Sequence, residues 1–177
     1  EEIYPADIAT LRVELDALTD TQPAEQLDAL LLKRQSLISV LQRRLDGGEL
    51  TYGRYLATSQ QVFSSSLDNL QEIALAYESI STIDETYIDR RLVELADDDS
   101  DVESAERERA TLERRRELRT TQRRKIAQLL AQNESALTAI DRTTTALADV
   151  PIGKRPEDAD AAMAALEELA DRATKYA

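Results

Sequence analysis

The sequence feature that most constrains the fold is a long helical pattern near the carboxyl end of the chain. Residues 103–149 contain neither Gly nor Pro, and apolar side chains recur within them at steps of three and four. This spacing predicts one continuous helix. At about 1.5 Å per residue the helix would be about 70 Å long. A compact chain of this size has a radius of gyration of only about 16 Å, so a straight helix must project beyond any globule.

The other segments repeat the helical period and predict five shorter helices. Their expected ranges are 5–18, 23–45, 49–80, 83–96 and a last helix that begins at Pro156. Gly47 and Gly48 are expected to end the second helix, and Thr82 with Glu85 has the spacing of a capping box for the fourth. The sequence therefore predicts an all-α fold, an elongated antiparallel helical bundle with coiled-coil character and one very long helix.

The chain is expected to form a single helical domain over residues 1–177. Residues 23–80 and 126–177 would form the bundle core, because three of their helices have matching lengths of roughly 30–37 Å. Residues 83–125 would pair the short fourth helix with the first half of the long helix. They would form a protruding charged arm, with residues 1–20 as a flanking helix.

Missing residue types exclude several classes of enzyme. The chain has no His, no Cys and no Trp, so imidazole and thiol catalysis, Cys/His zinc sites and a Ser-His-Asp triad are absent. A di-iron bundle would carry Glu-x-x-His, and no P-loop, G-x-G-x-x-G or G-x-S-x-G signature is present. We therefore expect no enzyme, no cofactor and no small-molecule substrate, with a carboxylate-only enzyme as the remaining alternative.

The chain is strongly acidic. It has 22 Lys and Arg against 35 Asp and Glu, which gives a formal net charge of −13. This charge repels phosphates and argues against general nucleic-acid binding. No run of about 18 apolar residues is present, and the first residues are acidic, so neither a transmembrane helix nor a signal peptide is predicted. We expect a cytoplasmic protein.

One segment departs from this acidity. Residues 107–125, here called the basic segment, hold nine basic and three acidic residues, a net charge of +6, so the rest of the chain sums to −19. Extending the apolar seam backwards from Ile126 in 3-4 steps reaches Arg123, Arg119, Arg116, Leu112, Arg109 and Ala105. A coiled coil would have Leu or Ile at such positions. This half of the helix is therefore expected to be exposed, to pair with carboxylates or to meet an anionic partner.

The basic segment supplies the candidate partner-binding residues. They are Arg109, Arg114, Arg115, Arg116, Arg119, Arg123, Arg124 and Lys125. A solvated helix with i,i+4 ion pairs is one interpretation of them. Docking of an acidic protein, or of a second copy of this acidic chain, is another. Binding to nucleic acid or to an anionic membrane is a third, although no aromatic residue lies in the segment to stack on bases.

The acidic turn before the long helix is a candidate metal site. Asp97, Asp99, Asp101 and Glu108 match positions 1, 3, 5 and 12 of a calcium-binding EF-hand loop. Val102 stands at the sixth position, where that loop needs Gly. A solvated turn that caps the next helix is the favoured interpretation, so no metal is expected.

Polar residues interrupt the apolar rows of two helices. Asn133 and Thr144 lie on the seam of the long helix, and Ser59 and Ser66 lie on the seam of the third. A buried Asn can fix the register or the oligomeric state of packed helices at some cost in stability. Satisfied hydrogen bonds or a position at the edge of the core are the alternative interpretation, and the favoured one.

Overall fold

The computed structural model describes residues 5–45, 50–96, 102–149 and 163–171, and they are almost entirely helical. The helices are α1 (Pro5–Asp16), α2 (Gln22–Arg44), α3 (Leu50–Ser81), α4 (Glu85–Ala96) and α5 (Val102–Asp149), followed by α6 at 163–171. No strand occurs within these ranges. The predicted all-α fold and the very long helix are thus confirmed. Gly47, Gly48 and Pro156 lie outside the described residues.

The chain divides into two compact units. The first consists of Glu1–Gln71 with Leu129–Ala177, and the second of Glu72–Gln128. Both α3 and α5 contribute residues to each unit, because the divisions at 71/72 and 128/129 fall inside these helices.

The first unit is an antiparallel four-helix bundle. Lys33 Nζ lies 2.5 Å from Asp141 Oδ1, and an Arg44 guanidinium nitrogen donates to the Ala148 carbonyl at 2.6 Å, so α2 and α5 run in the same direction. On α3, Arg54 and Gln61 contact successive turns of α6, so these two helices are parallel to each other. The bundle core is mostly Leu, Ile, Phe and Met, including Leu27, Leu30, Leu37, Leu41, Phe63, Leu67, Leu70, Ile140, Leu147, Met163 and Leu166.

The helix α1 packs against the start of α2 in the same unit. Leu11 and Leu15 bury its apolar side. Arg12 donates to both carboxylate oxygens of Asp28 and at 3.5 Å to the Ala24 carbonyl. The Asp28 carboxylate raises the pKa of the Arg12 guanidinium by accepting these hydrogen bonds. Both apolar burial and an ion pair therefore hold α1 to α2.

In the second unit, α4 continues the direction of α3 along α5. Lys125 Nζ lies 2.6 Å from Glu72 on α3, and Arg91 of α4 pairs with Glu108 further towards the start of α5. The core of this contact is small and consists of Ile88, Leu95 and Leu112, flanked by Ile83, Leu92 and Ala105. The helix α4 thus packs against the first half of α5.

The predicted capping box at the start of α4 is wrong. Asp84, and not Thr82, caps the helix, because its Oδ1 accepts a hydrogen bond from the Tyr87 amide at 3.0 Å. The Glu85 carboxylate instead pairs with Arg119 of α5 at 3.1 Å. Asp and Thr can both cap a helix, because each has a side-chain oxygen that can accept a hydrogen bond from an amide of the first turn.

A strict seven-residue repeat runs through all of α5. Its inward positions are Ala105, Glu108, Leu112, Arg115, Arg119, Gln122, Ile126, Leu129, Asn133, Ala136, Ile140, Thr143 and Leu147, and each is buried or half-buried. Arg109, Arg116 and Arg123, which the 3-4 extension of the seam reached, are exposed. The inward row takes a step of four residues from Ile126 to Gln122, where that extension took a step of three. This keeps the 3.5-residue period of a coiled coil.

Candidate docking surface on helix α5

The eight cationic candidates of the basic segment form two sets in the structure. Arg109, Arg116, Arg119 and Lys125 each contact α3, α4 or the turn between them. The other four form neither a hydrogen bond nor an ion pair with any described residue, and are here called the free arginines: Arg114, Arg115, Arg123 and Arg124. Arg115 is half-buried at an inward position of α5, whereas the other three are exposed. The helix therefore carries cations in two distinct environments.

Arg119 joins α5 to the break between α3 and α4. Its Nη1 donates to the carbonyls of Ile80 at 3.2 Å and Ile83 at 2.8 Å, while its Nε donates to Glu85 at 3.1 Å. The carbonyls at the end of a helix lack intrahelical donors, and this guanidinium supplies one. Only 18% of the Arg119 side chain is exposed. Arg119 is therefore a structural residue of the second unit.

The other three contacts are weaker and lie nearer the surface. Arg109 donates to the Leu95 carbonyl at 3.3 Å, near the end of α4. Arg116 lies 4.0 Å from Asp89, and Lys125 lies 2.6 Å from Glu72. About half of each side chain in these two ion pairs is exposed. Such surface pairs contribute about 0–1 kcal/mol each, so these cations remain accessible to solvent and to a partner.

The free arginines lie on both sides of the junction between α3 and α4. Arg119 marks the level of that junction. Arg123 and Arg124 lie on the α3 side of it, beside Lys125, which pairs with Glu72 of α3. Arg114 and Arg115 lie on the α4 side, beside Arg116, which lies 4.0 Å from Asp89 of α4.

The acids of the basic segment do not neutralise the free arginines. Glu113 and Glu117 are exposed and form no ion pair within the described ranges. Glu108, the third acid, pairs with Arg91 of α4. The i,i+4 ion pairs that the spacing allows inside the segment are thus not formed by these side chains.

Glu108, a candidate metal ligand, is committed to an arginine. Its two carboxylate oxygens accept from Arg91 Nε at 2.6 Å and Nη2 at 3.0 Å, a bidentate pair. These hydrogen bonds hold the pKa of Glu108 below its ordinary value and raise that of Arg91. Asp97, Asp99 and Asp101 lie outside the described residues. Within the described ranges no group of three acidic side chains is close enough to hold a metal ion.

Acidification is expected to weaken the contact between α4 and α5 through Glu108. Because the folded state lowers this pKa, the ion pair stabilises the fold at neutral pH, and the contribution is lost as the pH falls through the lowered value. The difference in unfolding free energy between the wild-type chain and Glu108→Gln should therefore shrink as the pH drops below about 4. Urea denaturation across a pH series measures it.

Glu106→Gln provides the matched control for this pH series. Glu106 is exposed on the same helix and has no partner among the described side chains. Its replacement should leave the pH dependence of stability unchanged. Equal pH profiles for the two variants would contradict the assignment of the effect to the Arg91–Glu108 pair.

A shallow cleft of about 400 Å³ lies in the first unit, between α5 and α6. Its wall includes two hydroxyl side chains, Ser135 and Thr138, which are its candidates for a catalytic nucleophile. Both donate to carbonyls of their own helix, at 3.0 and 2.9 Å. A catalytic hydroxyl would instead donate to a general base. The cleft therefore gives no support to an enzymatic site.

Comparison of the chain with protein-family models, with curated proteins and with solved structures finds no match in any of the three. Among the described helices, none combines the length and apolar character needed to cross a bilayer. The function is therefore inferred from the residues and contacts of the chain itself.

Proposed function

We propose that this chain is a non-catalytic helical interaction module, which docks an acidic protein surface through the free arginines of α5. The partner is either another acidic protein or a second copy of this chain. The observation that supports the proposal most is the absence of any carboxylate partner for Arg114, Arg115, Arg123 and Arg124 within the described residues, in a chain with 35 acidic side chains.

Charge complementarity favours a protein partner over a phosphate-bearing one. The basic segment carries +6 and the remaining residues carry −19. A nucleic acid or an anionic membrane would be attracted to the segment and repelled by the rest of the chain. An acidic protein surface can contact the segment locally, and a second copy brings its own acidic surface.

The expected interaction is of modest strength and depends on salt. Exposed ion pairs contribute about 0.2–1 kcal/mol each, so four of them support weak or transient binding unless apolar contacts add to it. Charges on this surface are screened over about 8 Å at physiological ionic strength. Partner binding should accordingly weaken steeply as salt is raised.

A charge-reversal pair tests the proposal. Arg123→Glu with Arg124→Glu should weaken the binding of a fluorescent polyglutamate peptide about tenfold at low salt. Fluorescence anisotropy measures the peptide, and size-exclusion chromatography with light scattering detects self-association. Because neither side chain has an intramolecular partner in the described ranges, the circular dichroism of the variant should match that of the wild type.

The matched control is Arg43→Glu with Arg142→Glu. Both residues are exposed arginines of the first unit that form no hydrogen bond or ion pair with a described residue, and the change in net charge is identical. This control should keep peptide affinity within about twofold, because it leaves the free arginines in place. Equal losses of peptide affinity in the two double variants would show that net charge alone, and not the position of the arginines, controls binding. Binding of anionic vesicles or duplex DNA, without binding of the acidic peptide, would contradict the proposal.

A further inference from the structure

Two buried amide side chains and a half-buried one connect three helices of the first unit at one level, and we propose that they set the register of α2 and α3 against α5. Asn133 of α5 is fully buried. Its Oδ1 accepts from Asn69 Nδ2 of α3 at 2.9 Å, and its Nδ2 donates to the Ser66 carbonyl at 3.2 Å. Both hydrogen-bonding ends of the Asn133 amide are thus used between helices.

A second buried amide comes from α2. Gln26 is 2% exposed, and its Nε2 donates to the Leu130 carbonyl at 3.1 Å and to Glu134 Oε1 at 2.8 Å. These acceptors lie within one turn of Asn133 on α5. Gln26, Asn69 and Asn133 are here called the amide layer.

Stability alone does not account for the amide layer. Burying an amide costs free energy unless its hydrogen bonds are replaced. The Gln26 Oε1 atom is buried and accepts no hydrogen bond from any described group. Apolar side chains of similar volume often give equal or greater stability at such places. A buried amide is stable only where the facing helix provides a hydrogen-bonding partner at the same level, so it favours one register of the helices.

The seven-residue repeat of α5 would allow more than one register of α5 against α2 and α3. Ile126 and Ile140 occupy the positions one repeat before and after Asn133, and both are buried. A slip of α5 by seven residues would bring Ile140 to the level of Asn133 and Leu147 to the level of Ile140, so a large apolar side chain would still fill these two levels. It would leave the Asn133 amide opposite Val62 or Ala76 of α3 instead of Asn69. The amide layer penalises that slip.

This inference is independent of the proposed docking function. The amide layer belongs to the first unit, whereas the free arginines belong to the second. A failure of either proposal leaves the other untouched.

Cysteine pairs can report the register because the chain has no Cys of its own. The Lys33 and Asp141 side chains meet at their tips, with Nζ 2.5 Å from Oδ1, so a short bifunctional thiol reagent should crosslink Lys33→Cys to Asp141→Cys in the native register. The same reagent should crosslink Lys33→Cys to Ala148→Cys after a slip of α5 by seven residues. Each pair is crosslinked in the wild-type background and in the variants below, and the yields are compared.

The decisive variant moves the α5 amide by one repeat, through Asn133→Ile with Ile140→Asn. The ratio of native to slipped crosslink should fall about tenfold, the factor expected for one mispaired buried amide. Adding Asn69→Val with Val62→Asn moves the α3 amide to the matching level, because α3 and α5 are antiparallel. The compensated variant should recover the native ratio.

Ser66→Ala is the control. The Ser66 hydroxyl is buried and donates to Val62 of its own helix at 2.9 Å, so its removal takes a polar group from this level without removing a side-chain bond between helices. The native ratio should persist. An unchanged ratio in the moved-amide variant would overturn the proposal. If that variant instead unfolds, failure of the compensated variant to restore helicity and the native ratio would also overturn it.

Discussion

Replacing Arg119 by Ala is expected to destabilise the second unit by about 2 kcal/mol, because hydrogen bonds from a charged donor contribute about 1.5–3 kcal/mol. The substitution removes donors from the carbonyls of Ile80 and Ile83 and a cation from Glu85. The loss should appear as faster amide hydrogen exchange around the break between α3 and α4, and as a lower midpoint in urea.

Two further substitutions separate the contacts of Arg119 from its charge. Arg119→Lys keeps the positive charge, but an ammonium lacks the planar set of donors with which a guanidinium bonds several acceptors at once. This variant should therefore be less stable than the wild type and more stable than Arg119→Ala. Arg124→Ala removes an equal charge from an exposed site on the same helix and should change stability by less than about 0.5 kcal/mol. Similar losses for Arg119→Ala and Arg124→Ala would show that Arg119 has no structural role.

Leu112→Ala is expected to have the largest effect on the second unit, a loss of about 3 kcal/mol. Leu112 is 4% exposed and packs with Ile88 and Leu95, the other buried side chains of that core cluster among the described residues. A cavity in so small a cluster has few neighbours that can close it. Hydrogen exchange should show that the amides of α4 lose most of their protection.

Leu118→Ala supplies a matched control for the cavity. The substitution is chemically identical and lies on the same helix, but the Leu118 side chain is 57% exposed. Its effect on the unfolding free energy should stay within about 0.5 kcal/mol. Protection of α4 that survives in Leu112→Ala would mean that ion pairs, and not apolar packing, hold α4 to α5.

The fold was largely predictable because periodicity is recorded directly in the sequence. The second half of α5 has Ile126, Ile140 and Leu147 at inward positions, and apolar side chains at this spacing fix the buried face. In the basic segment, apolar periodicity no longer identifies the buried face of the helix. Gln122 and Arg123 are both polar, so hydrophobicity cannot decide which of them turns inward.

The sequence predicted which residues carry the positive charge of the candidate site, but not which of them are structural and which are free. The sequence shows a run of cations, and nothing in it separates Arg119 from Arg123. The difference arises from tertiary contacts, because Arg119 lies at the level where α3 ends and α4 begins. Arg91, the partner of Glu108, was not among the predicted site residues. Its place on a helix that folds back along α5 is the signal that could have identified it.

Selective labelling of arginine by a dicarbonyl reagent, read by mass spectrometry, tests the central claim most directly. The claim is that α5 carries structural and free arginines, and that the free set meets the acidic partner. In the unbound chain, Arg123 and Arg124 should react rapidly and Arg119 slowly. Addition of polyglutamate peptide should protect Arg123 and Arg124 while leaving Arg43 of the first unit unchanged. Labelling of Arg119 as fast as Arg124, or equal protection of Arg43, would contradict the account.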